Sequence, residues 1–360
     1  EVLAGDPRAL PPHSGRRPRG AGTPGTDAGV PSATLMEILV ASSSAMDLRQ
    51  LTHLMAVAEH GSFSAAARSL HTVQSNVSTH VARLEKELDA VLIDRRSMLP
   101  TTEGKAVIDR AQRIRSEMQA LKDDISSMRE EIGGTVRIGC IGTTARWMAT
   151  PLLERLGSHY PGLHPILVDA TSGSLYPLLR SGEVDFAILN GPVLDPDFAT
   201  EPLFDEELIV VTTKDHALAD HETVTIQELA EHEVMLTPTG TTFRDTLDAE
   251  LAAAGLRLRP KVEIDGLRLL TSLAYQGYAP ALLPASAASG IPAGDWTLVR
   301  IKGLDRRAVV LAHNRRTRPS LAVQATCDQL REVIRDIGPD RPGIHVTMTD
   351  EPVFRPGRTP

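Results

Sequence analysis

The chain has 360 residues, 41% hydrophobic and 23% charged, enough apolar material for more than one domain with its own core. A formal net charge of −8 argues against generic polyanion binding, so any nucleic-acid contact must gather its cations locally and rely on groove chemistry. Cys140 and Cys327 share no motif and read as reduced core thiols of a cytoplasmic protein, with a redox pair as the alternative, and no apolar run approaches membrane-spanning length.

Residues 1–45 are rich in Gly, Pro, Arg and Ser and show little periodicity, so they read as a disordered extension or a misassigned start rather than a signal peptide. Leu48, Leu51, Leu54, Met55 and Ala58 then make a helical stripe ending near Gly61. Phe63, Ala66, Ala67 and Leu70 follow at i, i+3, i+4 and i+7, with Ser62 placed as an N-cap and alanines small enough to let another helix cross closely. After a break at His71-Thr72, Val73, Val77, Val81, Leu84 and Leu88 predict a third helix. Its opposite face begins Gln74, Ser75, Asn76, Ser78, Thr79, His80. Amides can pair bidentately with adenine, and hydroxyls can meet base edges or phosphates. The pair of helices therefore reads as a helix-turn-helix whose second helix enters the major groove of double-stranded DNA; a solvated polar face is the alternative. The following VLIDRRSMLPTTEGK reads as a small wing with Arg95 and Arg96 along phosphates, or else as a solvated charged loop.

Residues 46–104 resemble the winged DNA-binding domain of the LysR-type transcriptional regulators. The matching words are Asp47-Leu48-Arg49-Gln50-Leu51, Val57-Ala58-Glu59-His60-Gly61-Ser62-Phe63, Ala65-Ala66-Ala67, Leu70-His71 and Arg83-Leu84-Glu85-Lys86-Glu87-Leu88, and the similarity runs on to about residue 335. The resemblance implies that Gln74, Ser75, Ser78 and Thr79 read bases. Members commonly carry Pro where Ser75 or Asn76 stands and Arg where Thr79 stands, which bears on the operator sequence.

Ala111, Ile114, Met118, Leu121, Ile125, Met128 and Ile132 alternate steps of three and four, an a/d seam flanked by charged residues and stopped by Gly133-Gly134. The seam predicts a homodimer through residues 105–132; a single amphipathic helix packed on its own domain is the alternative. The resemblance favours the dimer linker, and extends it to a homotetramer with RNA polymerase as a candidate partner. From residue 135 short β-branched runs alternate with helices: strands at 136–141, 165–168, 184–189, 207–212, 233–236, 281–283, 296–301 and 308–312, helices near 151–159, 175–181, 226–231, 242–254, 267–275 and 321–334. This alternation indicates βαβ units and parallel sheets.

The expected fold is therefore α+β and multidomain: a winged helix-turn-helix over 46–104, a coiled-coil linker helix and hinge over 105–134, and a two-lobed α/β effector domain over 135–338 that resembles a type 2 periplasmic binding protein. Lobe I is expected at about 135–195 and 300–338, lobe II at about 196–299, with a flexible tail over 339–360. Gly139 to Thr144, Thr171 to Ser174 and Thr237 to Thr242 are Gly-interrupted, rich in hydroxyls, and placed ahead of helices, where free N–H groups favour an anion such as a carboxylate; ordinary capping is the alternative reading. The resemblance implies that Thr143, Thr144, Ser172, Thr239, Thr241 and the Gly277-Tyr278 turn line an inducer cleft, with Ser174 beside them.

An enzyme is disfavoured. The 12 histidines show no His-x-x-x-His spacing, and there is no Cys-x-x-Cys, Gly-x-Ser-x-Gly or Walker loop, so no cofactor, metal or catalytic residue is assigned. His159 and His164 flank a turn, and Asp185 sits at a strand entry. A solute-binding module of a transporter would explain two lobes but not the N-terminal helices.

Overall fold

The computed structural model describes residues 46–129, 132–288 and 294–348. The expectations for 1–45, for the side chain of Met128 and for 349–360 lie outside them.

Helix α1 (Leu48–His60) starts in a capping box: Gln50 N donates to Asp47 Oδ1 at 2.8 Å and Asp47 N to Gln50 Oε1 at 2.9 Å. It ends at Gly61, whose φ of 64° is left-handed and favours glycine. Helix α2 (Phe63–Ser69) is capped by Ser62, which accepts from Ala65 N at 3.1 Å, and α3 (Gln74–Glu87) follows. Leu54, Val57, Phe63, Ala66, Val77, Val81 and Leu84 close one core with Leu92 and Ile93. Burying each of the larger side chains contributes about 1.5–3 kcal/mol, which is why the 3.6-residue stripes decide this part of the fold. The stripes run off the core at both ends, since Leu48 and Leu88 are exposed. The wing shrinks to one antiparallel bridge, Ile93 to Pro100.

Helix α4 (Thr102–Arg129) departs from this core through Gly104, where a Cβ would lie 2.0 Å from the Leu92 carbonyl oxygen. Ala111 belongs to the N-terminal core. Farther along, one polar stripe docks on the C-terminal part of the same chain. Gln112 Nε2 donates to Glu183 Oε1 at 2.9 Å, Ser116 Oγ to Gly182 O at 2.8 Å, and Asp124 Oδ1 accepts from Leu321 N at 2.9 Å. Ile114, Met118, Leu121 and Ile125 on another stripe stay 38%, 41%, 66% and 47% exposed. The helix thus packs on its own domain through these polar atoms and leaves Ile114, Met118, Leu121 and Ile125 of the seam uncovered, while Ala111 and Ile132 at its two ends pack on cores of the same chain.

The remaining chain forms two six-stranded sheets. Lobe I has the order β12-β4-β11-β3-β1-β2, with β1 (Gly133–Cys140), β2 (Gly162–Asp169), β3 (Phe186–Asn190), β4 (Phe198–Glu206), β11 (Arg307–Asn314) and β12 (Ile344–Val346). Lobe II has the order β6-β10-β5-β9-β7-β8, with β5 (Leu208–Thr213), β6 (Thr223–Thr225), β7 (Glu233–Leu236), β8 (Arg259–Glu263), β9 (Ala281–Pro284) and β10 (Trp296–Lys302). Helices α5 (Gly142–His159), α6 (Ser172–Ser181) and α10 (Leu321–Ile337) go with the first, α7 (Ile226–Ala230), α8 (Thr242–Ala253) and α9 (Leu267–Tyr275) with the second.

Three expectations need correction. The sheets are mixed: β1 pairs in parallel with β2 and β3, but β11 runs antiparallel to β3 and β4, and β5 antiparallel to β9 and β10. The chain crosses between lobes at Glu206–Leu208 and again at 303–306, so 198–206 belongs to lobe I and 296–302 to lobe II. Residues 344–346 of the expected tail are a strand, paired antiparallel with β4 and anchored by buried Ile344.

Candidate functional site

Helix α3 is entered from Val73, an N-cap that supplies no side-chain bond, so no side chain takes the N–H groups of Gln74 and Ser75. Val77 and Val81 are buried, and this turns Gln74, Ser75, Asn76, Ser78 and Thr79 outward together. Gln74 Oε1 accepts from Ser64 Oγ at 2.6 Å, Asn76 Nδ2 donates to Thr72 Oγ1 at 3.0 Å, and Thr79 Oγ donates to Ser75 O at 2.8 Å. These bonds limit side-chain freedom while leaving the Gln74 amide NH2 and the hydroxyl lone pairs for a partner. Val73 is 64% exposed at the same tip, an apolar group suited to a thymine methyl that polarity-based reading overlooked.

Two residues grouped with this surface are turned elsewhere. The His80 ring stacks on His53 with centroids 4.4 Å apart, between α3 and α1. Burial, then His53, holds its pKa below the ordinary histidine range. Arg95 pairs with Glu85 at 2.6 Å and lies 4.6 Å above the Phe63 ring, so its guanidinium braces the wing. Arg96 is exposed.

A cleft of about 570 Å³ lies between the lobes. Thr143, Ser172, Ser174 and Thr241 line it, as expected from their loops. Thr241 and Thr171 cap their own helices, accepting from Arg244 N at 3.4 Å and Ser174 N at 3.3 Å, and Ser172 Oγ accepts from Asn190 N at 3.1 Å. Ordinary capping therefore accounts for α6 and α8. Of the helices that start at the cleft, those whose N-termini lack a side-chain cap are α5, entered from Ile141, and α9, entered from Gly266. They come from opposite lobes. The α9 start carries no hydroxyl signature, so the loop pattern missed it.

Three of the expected cleft residues lie elsewhere. Thr144 is fully buried on the inner face of α5, Thr239 is exposed outside the lining, and Tyr278 lines a separate depression with Thr213, His216 and His232. Lys261 Nζ donates to Tyr278 O at 3.3 Å and sits 5.2 Å from its ring centroid. A tight turn at Gly277, φ 78°, carries the tyrosine away from the cleft.

Charged residues that sequence reading passed over define the cleft's electrostatics: Arg146, Arg268 and Arg307 with Asp169 and Asp265. Arg307 opens β11 at the crossover. Its Nε donates to fully buried Glu206 Oε1 at 2.8 Å, its Nη2 to Thr143 Oγ1 at 3.4 Å, and its guanidinium lies 5.6 Å from the Phe243 ring on α8. Glu206 Oε2 also accepts from Ser286 N at 3.0 Å, so this buried pair ties both crossovers together. Arg268 of lobe II reaches Asp169 of lobe I at 2.6 Å. Both side chains of that bridge are well exposed, and such pairs contribute about 0–1 kcal/mol, too little to hold the lobes by itself.

A helix-turn-helix joined by a long helix to a two-lobed α/β domain with a polar cleft is the build of an effector-responsive DNA-binding regulator. The family model for the bacterial regulatory helix-turn-helix protein, lysR family, matches residues 48–105, and that for the LysR substrate binding domain matches 129–335. The chain belongs to the LysR-type transcriptional regulators, DNA-binding regulators with an effector-binding domain rather than enzymes. It is 30% identical over 294 residues to the DNA-binding transcriptional dual regulator OxyR of Escherichia coli K12, covering 81% of this chain and 95% of the relative. A probable hydrogen peroxide-inducible genes activator of Streptomyces viridosporus is 28% identical over 296 residues, with 81% and 95% covered. Among solved structures, a full-length OxyR cysteine-to-aspartate variant from Pseudomonas aeruginosa aligns with a TM-score of 0.65 at 23% identity, over 81% of this chain and 95% of that one. CbnR in complex with its target DNA aligns at 0.59 and 23%, over 81% and 99%. These two share the fold.

Proposed function

We propose that this regulator reads a two-fold operator through the tip of α3, as a dimer joined along the α4 seam and paired again into a homotetramer, and that a small anion in the interlobe cleft biases its grip on promoter DNA. The observation that carries the anion is the pair of uncapped helix N-termini, α5 and α9, facing one cleft that also holds Arg146 and Arg307. Each such terminus presents about half a positive charge. The dimer is supported by the uncovered seam. Gln74, Ser75, Asn76, Ser78 and Thr79 make the base-edge contacts, and Arg96 meets a phosphate. The protein works in the cytoplasm, where its DNA is; among the described residues no helix is long and apolar enough to cross a membrane.

The cysteines favour a bound molecule over thiol oxidation as the signal, even though several relatives are named hydrogen peroxide-inducible genes activators. Cys140 and Cys327 are completely buried, and burial pushes both thiols up, away from the thiolate that reacts with peroxides. Effector binding shifts operator affinity only by the ratio of its affinities for the two lobe arrangements. Isothermal titration of the full chain with a panel of carboxylates, cations and uncharged apolar compounds tests the cleft: carboxylates bind and Arg146→Gln weakens them. Binding of only cations or uncharged compounds would overturn the reading.

A further inference from the structure

The cleft's formal charges divide into those already paired and those left over. Arg307 is taken by Glu206 and Arg268 by Asp169. Among the described residues, Arg146 and Asp265 line the cleft with no ion-pair partner, both exposed to the open cleft and due to lose water only as the lobes close. Arg146 stands on α5 of lobe I, and Asp265 directly precedes α9 of lobe II, so a lone cation and a lone anion come from opposite walls. Asn190 Oδ1, at the end of β3 in the same cleft, is a buried acceptor with no hydrogen-bond partner among the described residues.

A ligand carrying only negative charge satisfies Arg146 and the two free helix N-termini, but it brings its carboxylate near Asp265 and leaves that carboxylate unpaired as the lobes close. A ligand carrying only positive charge meets Arg146, Arg307 and both N-termini. Charges taken out of water without a partner are costly, and repulsion strengthens as the local dielectric falls. One class of molecule leaves neither group uncompensated. Resting on the reading of the cleft as an anion site, we infer that its ligand is a zwitterion of the amino-acid class. The carboxylate faces Arg146 and the α5 and α9 N-termini, and the ammonium faces Asp265 and Asn190 Oδ1. The volume of about 570 Å³ admits such a molecule together with a side chain and water.

The test uses the full chain. Each proteinogenic α-amino acid is titrated calorimetrically, together with its des-amino acid and its decarboxylated amine. The expected result is that at least one amino acid binds and that both truncated analogues bind about tenfold or more weakly, because each leaves one charged group without a counter-charge once the lobes close over it. Asp265→Asn removes the preference for the amino acid over its des-amino acid, whereas Arg146→Gln weakens both compounds. A circular dichroism spectrum and unfolding midpoint matching those of the parent without ligand show that Asp265→Asn is folded. Des-amino acids that bind as tightly as the amino acids overturn the zwitterion and leave the anion site standing. If amines alone bind, or if no compound of the three sets binds, both readings fall.

Discussion

Leu121→Glu separates the two uses of helix α4. Leu121 is 66% exposed on the seam, and full burial of a leucine is worth about 1.5–3 kcal/mol, so covering the remaining two thirds contributes about 1–2 kcal/mol per copy. A two-fold interface holds two copies, which brings the loss to about 2–4 kcal/mol before the cost of two carboxylates near the axis. At about 1.4 kcal/mol per factor of ten, the dimer dissociation constant rises by roughly 30- to 700-fold. Glutamate is a good helix former and the position faces solvent in the single chain, so circular dichroism stays unchanged, while the unfolding midpoint falls only at concentrations where the parent is a dimer. Sedimentation velocity across a concentration series reads the association, with Ser116→Ala as a control because Ser116 faces the chain's own Gly182. A folded Leu121→Glu chain that associates as tightly as the parent refutes the seam.

Other expectations follow from the same geometry. Gln74→Ala with Ser78→Ala weakens specific operator binding by about 1–3 kcal/mol per lost base contact, read by fluorescence anisotropy, while sedimentation stays that of the parent. Breaking the buried bidentate pair between Arg331 and Glu201, with bonds of 2.9 and 2.7 Å, by Arg331→Met costs about 3–5 kcal/mol in urea unfolding. His80 has a depressed pKa in the folded protein, set by burial and His53 and modulated by Asp47, Arg83 and Arg49, so the unfolded chain takes up the proton first. Stability is therefore lost as pH falls below about 6.5, and His80→Gln loses less than the parent between pH 7.5 and 5.5. Peroxide leaves operator affinity unchanged, and a thiol reagent labels Cys140 and Cys327 only after unfolding.

The stripes of Phe63, Ala66 and Ala67 and of Val77, Val81 and Leu84 were legible because a one-sided helix writes its buried face into its spacing. Strand β4 escaped notice because Pro202 and three carboxylates interrupt its alternation; the ladder to β11 absorbs this with a register shift between Val309 and Val310. Strand β8 was hidden in the same way. It is an edge strand, mostly exposed, with Pro260 beside an irregularity in its pairing with β7. In the cleft, hydroxyl-rich loops marked Thr143, Ser172 and Thr241, but isolated Arg146, Asp265 and Arg307 have no local pattern. They meet only because the chain crosses twice between the lobes. His80 shows the converse, since a polar residue on a polar helix face can still turn inward when a neighbour such as His53 offers its ring.

Hydroxyl-radical footprinting of the purified chain on genomic fragments that it selects, with and without a cleft ligand, tests the central claim most directly. The account predicts two protected patches on a pseudo-palindrome, separated by a whole number of helical turns of about 10–10.5 base pairs, whose strength or spacing changes with ligand. A protein that remains monomeric and protects no fragment in preference to random duplex contradicts it.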